Sequence, residues 1–353
     1  MIMTMTTKMQ MQYAFWLLLI FSISIASSST VPSLQGPVIG INYGRYGSNL
    51  PPPEALPSLI NSLSIKHVKT FDLDPRITKS FANTGITLSL CIPNDKIPSL
   101  STNLSESESI IRNFILPYHK NTIITSISVG NEVSLLPQFS NNLVSAMVNV
   151  HRSLKRYRLH KKIKVSTTHS LAILSKRFPP STASFHKSIS ETVLKPLIRF
   201  LQRTESPLMV NVYPYLAYKQ SFPSIPLDFA LFQPMNRRRY IDPYSGVAYT
   251  NLFDIMLDSV DSAVKSLGLA KIPVVVSEIG WPTSGEPGET AASLENARVF
   301  NQRLIEHLRR RRWNKVPVYI FALFDEDQKT GAAVEKHWGL LYGNGSRKYD
   351  LKL

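Results

Sequence analysis

Cysteine is almost missing: Cys91 is the only one in 353 residues, so no internal disulfide can staple this fold. A chain of this length can bury a core large enough to do without one. Histidine is scarce, eight in all, and none falls in an HExxH or HxH spacing. Glycine (15) and proline (24) are too few for a low-complexity chain, and no internal repeat is evident. No GxSxG elbow is present. Gly44-Arg45-Tyr46-Gly47 lacks the third glycine or the lysine of a nucleotide-binding loop. Acidic residues are the minority, 24 against 40 basic ones, for a formal charge of +16. That balance is compatible with an anionic surface or acidic polysaccharide, including weak contact with acidic cell-wall polymers. No nucleic-acid-binding module accompanies the charge, so nucleic acid is not an expected partner.

Only one long apolar run exists, YAFWLLLIFSISIA at 13–26. It is shorter than the ~20 residues of a membrane span, follows Lys8, and precedes small residues. It reads as a signal peptide within 1–30, cut between residues 26 and 35, although a buried helix or an uncut anchor has the same composition. The expectation is a secreted, extracellular protein with no membrane anchor. The sequons at Asn103 and Asn344 would then be open to glycosylation.

Eight short, β-branched runs follow: 38–43, 67–71, 86–92, 123–129, 163–167, 208–213, 273–277 and 317–324. They lack strict polar alternation, as strands buried on both faces do. Helical periodicity lies between them, at 53–63, 105–116, 143–157, 252–267 and 294–313, with Ser105 and Glu108 in capping-box spacing. The pattern predicts one (β/α)8 TIM barrel over 36–353 in the α/β class, in preference to an open doubly wound sheet. Inserts at about 171–203 and 219–249 are expected as a ridge beside the strand ends.

A barrel carries its chemistry at the C-terminal ends of its strands. The fourth run leads into Gly130-Asn131-Glu132, the seventh into Glu278-Ile279-Gly280-Trp281, and the eighth into Asp325-Glu326 with Lys329 after it. Two glutamates across one mouth suit glycosidic cleavage, one protonated and one ionised. The competing reading is that these acids bind a metal or cap a helix; His169 is the only well-placed histidine, and no metal or other cofactor is expected. Cys91 reads as a buried inert thiol. Tyr43, Phe71, Tyr213, Tyr215, Tyr218, Trp281, Phe324 and Trp338 cluster at the same ends, where rings either pack on sugar faces or fill the upper core.

These motifs resemble those of the plant glucan endo-1,3-beta-glucosidases of glycoside hydrolase family 17. The resemblance runs from IGINYG (39–44) through SVGNE (128–132), VNVYPY (210–215), VVVSEIGWPTSG (274–285) and FALFDEDQKTG (321–331) to HWGLLYGNG (337–345). It implies retaining endo-hydrolysis of β-1,3-glucan by a monomer. Glu132 is then the proton donor and later base, and Glu278 the nucleophile. Glu326 and Lys329 are auxiliary, with Lys329 helping to keep Glu278 ionised. Tyr43, Asn131, Tyr213 and Trp281 contact the sugar, Asn131 through its 2-hydroxyl. Retention implies acids about 5–5.5 Å apart. KTFDLDP at 69–75 departs from the commoner arginine-tyrosine-aspartate type. Hydrolysis of mixed β-1,3-1,4-glucan, or a non-catalytic glucan-binding or wall protein on the same barrel, remain the alternatives.

Overall fold

The computed structural model describes residues 37–221, 223–234, 239–310 and 312–353. The expected leader and its cleavage window lie outside the described residues, as do Arg237, Arg238 and Arg311. Eight parallel strands close into a barrel: β1 (Ile39–Tyr43), β2 (His67–Thr70), β3 (Thr87–Ile92), β4 (Ile123–Asn131), β5 (Lys164–Ser170), β6 (Leu208–Asn211), β7 (Val274–Ile279) and β8 (Val318–Ile320). Closure is the pairing of Ile39 with Val318 and Ile41 with Ile320. Each strand coincides with one of the eight apolar runs. Both strand faces are buried, one against the barrel interior and one against helices, which is why alternation was missing.

At least one helix joins each consecutive pair of strands: α1 (Leu56–Ser62), α2 (Pro75–Ser80), α3 (Leu104–Ile110), α4 (Pro137–Arg156), α5 (Lys195–Thr204), α6 (Leu252–Ser266) and α7 (Leu294–Leu308). α7 buries Ala297, Phe300, Leu304, Ile305 and Leu308, the apolar stripe its sequence displays. Its N-cap is Ser293, whose side chain accepts from the Asn296 N–H. The cap of α3 differs from expectation. Asn103, not Ser105, is the N-cap and accepts from the Ser105 N–H at 3.0 Å; Ser105 lies inside the first turn. Asn competes well for that position, and a cap two residues earlier satisfies an otherwise orphaned amide. Asn103 and Asn344 are both exposed.

The inserts carry more structure than loops. The first contains the ribbon of Leu174–Lys176 with Ser184–Phe185 and then α5; the second ends in the ribbon of Tyr240–Ile241 with Ala248–Tyr249. Asp242 ties the two inserts together, accepting from the Ser181 N–H at 2.8 Å and the Ser181 hydroxyl at 2.7 Å. Of the basic run at 309–312, Arg309 and Arg310 are exposed and Arg312 is paired with Asp258. No helix among the described residues is long and apolar enough to cross a membrane.

Candidate active site

A cleft of about 880 Å3 opens at the C-terminal ends of the strands. Glu132, Glu278, Glu326, Lys329, Tyr43, Asn131 and Tyr213 all line it. Of the expected site residues only Trp281 does not. Trp281 is fully buried behind the wall, donating its indole N–H to the Ala291 carbonyl at 2.8 Å and packing against Tyr215 and Phe300 at 5.2 Å each. The expectation that it touches sugar is therefore corrected: it fills the upper core. Trp338 lines the cleft instead, with Tyr213 5.1 Å and Phe321 6.0 Å from it, and Phe71 lies 6.1 Å beyond Phe321.

Glu278 is the last-but-one residue of β7, directed into the barrel mouth and only 5% exposed. Both its carboxylate oxygens are held. Lys69 Nζ lies 2.9 Å from Oε1, and the Tyr213 hydroxyl donates to Oε2 at 2.8 Å. Lys69 is fully buried, its Nζ 4.2 Å from the centre of the Phe71 ring. An ammonium and a phenol directed at one carboxylate stabilise its ionised form. The same burial and the negative Glu278 push the Tyr213 phenol well above its ordinary range, so it stays a donor.

The cation on Glu278 is therefore not Lys329. Lys329 pairs with Glu326, Nζ to Oε2 at 2.9 Å, and Glu326 Oε1 accepts the Tyr46 N–H at 3.0 Å. Glu326 thus anchors the loop after β1. That loop must pass close over the carboxylate: a side chain at Gly44 would put its Cβ 2.1 Å from Glu326 Oε1.

Glu132 sits where β4 turns out of the barrel. Gly130 (φ 74°) and Glu132 (φ 58°) both adopt the left-handed conformation, and the Glu132 N–H is pinned to the Thr168 carbonyl at 2.9 Å. A non-glycine residue held there is a strained backbone maintained by its surroundings. The side chain is accessible from the cleft yet crowded by protein on its other sides. That crowding, with the charge of Glu278 added, raises its carboxyl above the ordinary range, opposed by the hydrogen bond from Asn211. Asn211 Nδ2 donates to Glu132 Oε1 at 2.7 Å, while its Oδ1 accepts from the Ser277 hydroxyl at 2.7 Å. Asn211 is also the register partner of Glu278 across β6 and β7. The two acids thus meet around one asparagine, the first tied to a neutral amide and the second to a cation.

Asn131 holds its backbone to Asn94 through bonds of 2.7 and 3.2 Å, leaving its buried Oδ1 without a protein partner. The buried indole N–H of Trp338 is likewise unpartnered. Such groups need a hydrogen-bonding ligand or water. Glu335 is a fourth glutamate on the wall, its carboxyl raised by burial. Tyr43 is buried at the end of β1, edge-on to Phe324 at 6.1 Å.

His169 is fully buried against the Ser134 hydroxyl (2.7 Å), and burial lowers its pKa to about 4. Cys91 is buried within β3, with burial raising its thiol to about 11. Neither lines the cleft. Among the described residues no group of three His, Cys, Asp or Glu side chains is placed to hold a metal ion.

The family model described as glycosyl hydrolases family 17 matches residues 39–353. The chain belongs to glycosyl hydrolases family 17. It is similar to glucan endo-1,3-beta-glucosidase 12 of Arabidopsis thaliana, with 43% identity over 320 residues, covering 89% of this chain and 59% of that protein. Glucan endo-1,3-beta-glucosidase 3 of the same plant is 39% identical over 345 residues, 96% of this chain and 68% of that protein. The chain therefore spans about three fifths to two thirds of the length of these curated relatives. Among solved structures it resembles CJP38, a beta-1,3-glucanase and allergen of Cryptomeria japonica pollen. That match has a TM-score of 0.84, 36% identity and coverage of 89% of this chain and 98% of that one. One of two plant beta-glucan endohydrolases with distinct substrate specificities matches with a TM-score of 0.81, 35% identity and coverage of 89% and 100%.

Within this family frame, Lys69 and Asn211 are residues the sequence reading passed over. The departure at KTFDLDP marked the segment containing Lys69. For Asn211 the signal was its place in VNVYPY, two residues before Tyr213.

Proposed function

We propose that this family 17 domain cleaves internal β-1,3-glucosidic bonds of β-glucan with retention of configuration. The observation that carries it is the unequal treatment of two glutamates on one cleft. Both carboxylate oxygens of Glu278 are held, by Lys69 and Tyr213, while Glu132 is pushed toward its protonated form. One nucleophile and one acid are what double displacement needs.

In the first step the Glu278 carboxylate attacks the anomeric carbon while Glu132 gives its proton to the departing glycosidic oxygen. The carbon–oxygen bond breaks, and the sugar is left as an ester on Glu278. A water molecule then enters and loses a proton to the Glu132 carboxylate. Its oxygen attacks the same carbon, and Glu278 is released. One bond is hydrolysed, two inversions give β product, and Glu132 ends protonated. Tyr213 and Lys69 hold the charge that returns to Glu278. Asn131 lines the cleft beside Glu132, and in this reading its side-chain amide meets the sugar 2-hydroxyl. Tyr43 lines the same end, and Glu326 with Lys329 acts by fixing the β1 loop.

The names of the relatives support β-1,3-glucan as substrate. Laminarin and mixed β-1,3-1,4-glucan, digested side by side, test it. Short β-configured oligosaccharides from laminarin are expected. Preference for mixed-linked glucan would move the specificity, and binding without turnover would leave a glucan-binding protein. Secretion as a monomer to the wall rests on the apolar run at 13–26 and the charge; N-terminal sequencing of exported protein, starting between residues 26 and 35, checks the first part.

A further inference from the structure

On the assumption that the cleft holds a β-glucan, we infer that Tyr46 is a stacking platform for a glucosyl unit remote from the cleaved bond, on the nucleophile's side. Its ring lines the cleft and is 64% exposed. Among the described residues it contacts no other aromatic ring and its hydroxyl has no hydrogen-bond partner. A single exposed tyrosine is ordinary on a protein surface. This one differs because the backbone beneath it is immobilised.

The Tyr46 N–H is bonded to Glu326 Oε1 at 3.0 Å, and its carbonyl accepts from the Gln328 N–H at 2.8 Å. Before it, Arg45 bridges to Asp72 at 2.8 Å and Asp74 at 2.5 Å on the neighbouring β2 loop. After it, Ser48 makes two bonds to Asp327, at 2.8 and 2.6 Å. The ring is thus presented on a rigid rim, and docking a ligand on it orders little besides two side-chain torsions. The flat C–H face of a β-glucosyl ring is the ligand such a platform fits.

The strand order sets the side. β1 is two strands from β7, which bears Glu278, and three from β4, which leads to Glu132. A ring on the β1 loop therefore meets the part of the chain that stays on the nucleophile, not the leaving part.

The test is cleavage of reducing-end-labelled laminari-oligosaccharides of three to seven units by the full chain and by Tyr46→Ala, Tyr46→Phe and Tyr46→Trp. Tyr46→Ala should lose about threefold to tenfold in kcat/KM on the longer substrates. The loss should lie in KM, grow with chain length, and shift the preferred bond. Tyr46→Phe and Tyr46→Trp should retain wild-type behaviour. A length-independent loss, no loss, or an equal loss in Tyr46→Phe overturns the platform. Absence of cleavage by the wild type would count against the hydrolase reading alone. Calorimetric binding of laminarihexaose then decides the platform: weaker binding by Tyr46→Ala supports it, and equal binding overturns it.

Discussion

Lys69 and Glu278 form a buried ion pair at the barrel mouth, Nζ to Oε1 at 2.9 Å, with the lysine side chain wholly inaccessible and the glutamate side chain nearly so. The residues are 209 positions apart, and each makes the burial of the other tolerable. A pair like this contributes little net stability, but breaking it leaves one charge without compensation.

Lys69→Met should therefore destabilise the fold by about 3–5 kcal/mol in urea unfolding, and the double variant with Glu278→Gln should recover most of that. Activity should fall at least tenfold, because the carboxylate has lost the ammonium that holds its Oε1 in place. Lys69→Arg restores the charge and should restore much of the rate. An unchanged rate in Lys69→Met would remove the lysine from that role.

The alkaline limb belongs to the other acid. In the proposed reaction Glu132 must start protonated, so activity should fall as pH rises through its raised pKa. Asn211 donates to its carboxylate and so favours ionisation. Asn211→Ala removes that donor, so the alkaline limb should move to higher pH while kcat falls through lost orientation. A shift to lower pH would reverse the assigned sign. Glu132→Gln should lower glucan turnover about 10²–10⁴-fold. Aryl glycosides, whose leaving groups need no proton, should form the glycosyl-enzyme almost as before.

Trp281→Phe separates core from cleft. The indole is fully buried between Tyr215 and Phe300, so the smaller ring leaves a cavity, while the Ala291 carbonyl keeps the Asn296 amide as its donor at 3.0 Å. The variant should unfold several degrees lower and lose about 1–3 kcal/mol. KM for laminarin should stay within twofold. A large rise in KM with unchanged melting would return Trp281 to the substrate.

The barrel was readable because its strands are short runs buried on both faces that end at one mouth, with helical periodicity between them. Glu132 and Glu278 were readable for the same reason: a charged residue ending a buried run has to face the mouth. Lys69 was not, because a lysine in a short strand looks like a surface residue until its distant partner is known. Asn211 was hidden likewise, since an asparagine at a strand end is as often a turn former. Trp281 shows the converse error. An aromatic after a strand end fits a sugar platform or a core layer equally well, and only Tyr215 and Phe300 packed against it decide. Tyr46 sits in a segment notable in sequence only for not being a phosphate loop; its exposure follows from Glu326, 280 residues later, fixing its backbone.

The assignment of Glu278 as nucleophile is tested most directly by azide rescue of Glu278→Gly with an activated aryl β-laminaribioside. The small anion can occupy the space of the missing carboxylate beside Lys69 and attack from the same face, so the predicted product is the α-glycosyl azide, formed once because no second displacement follows. Formation of the β-glycosyl azide, or undiminished hydrolysis without azide, would contradict the account.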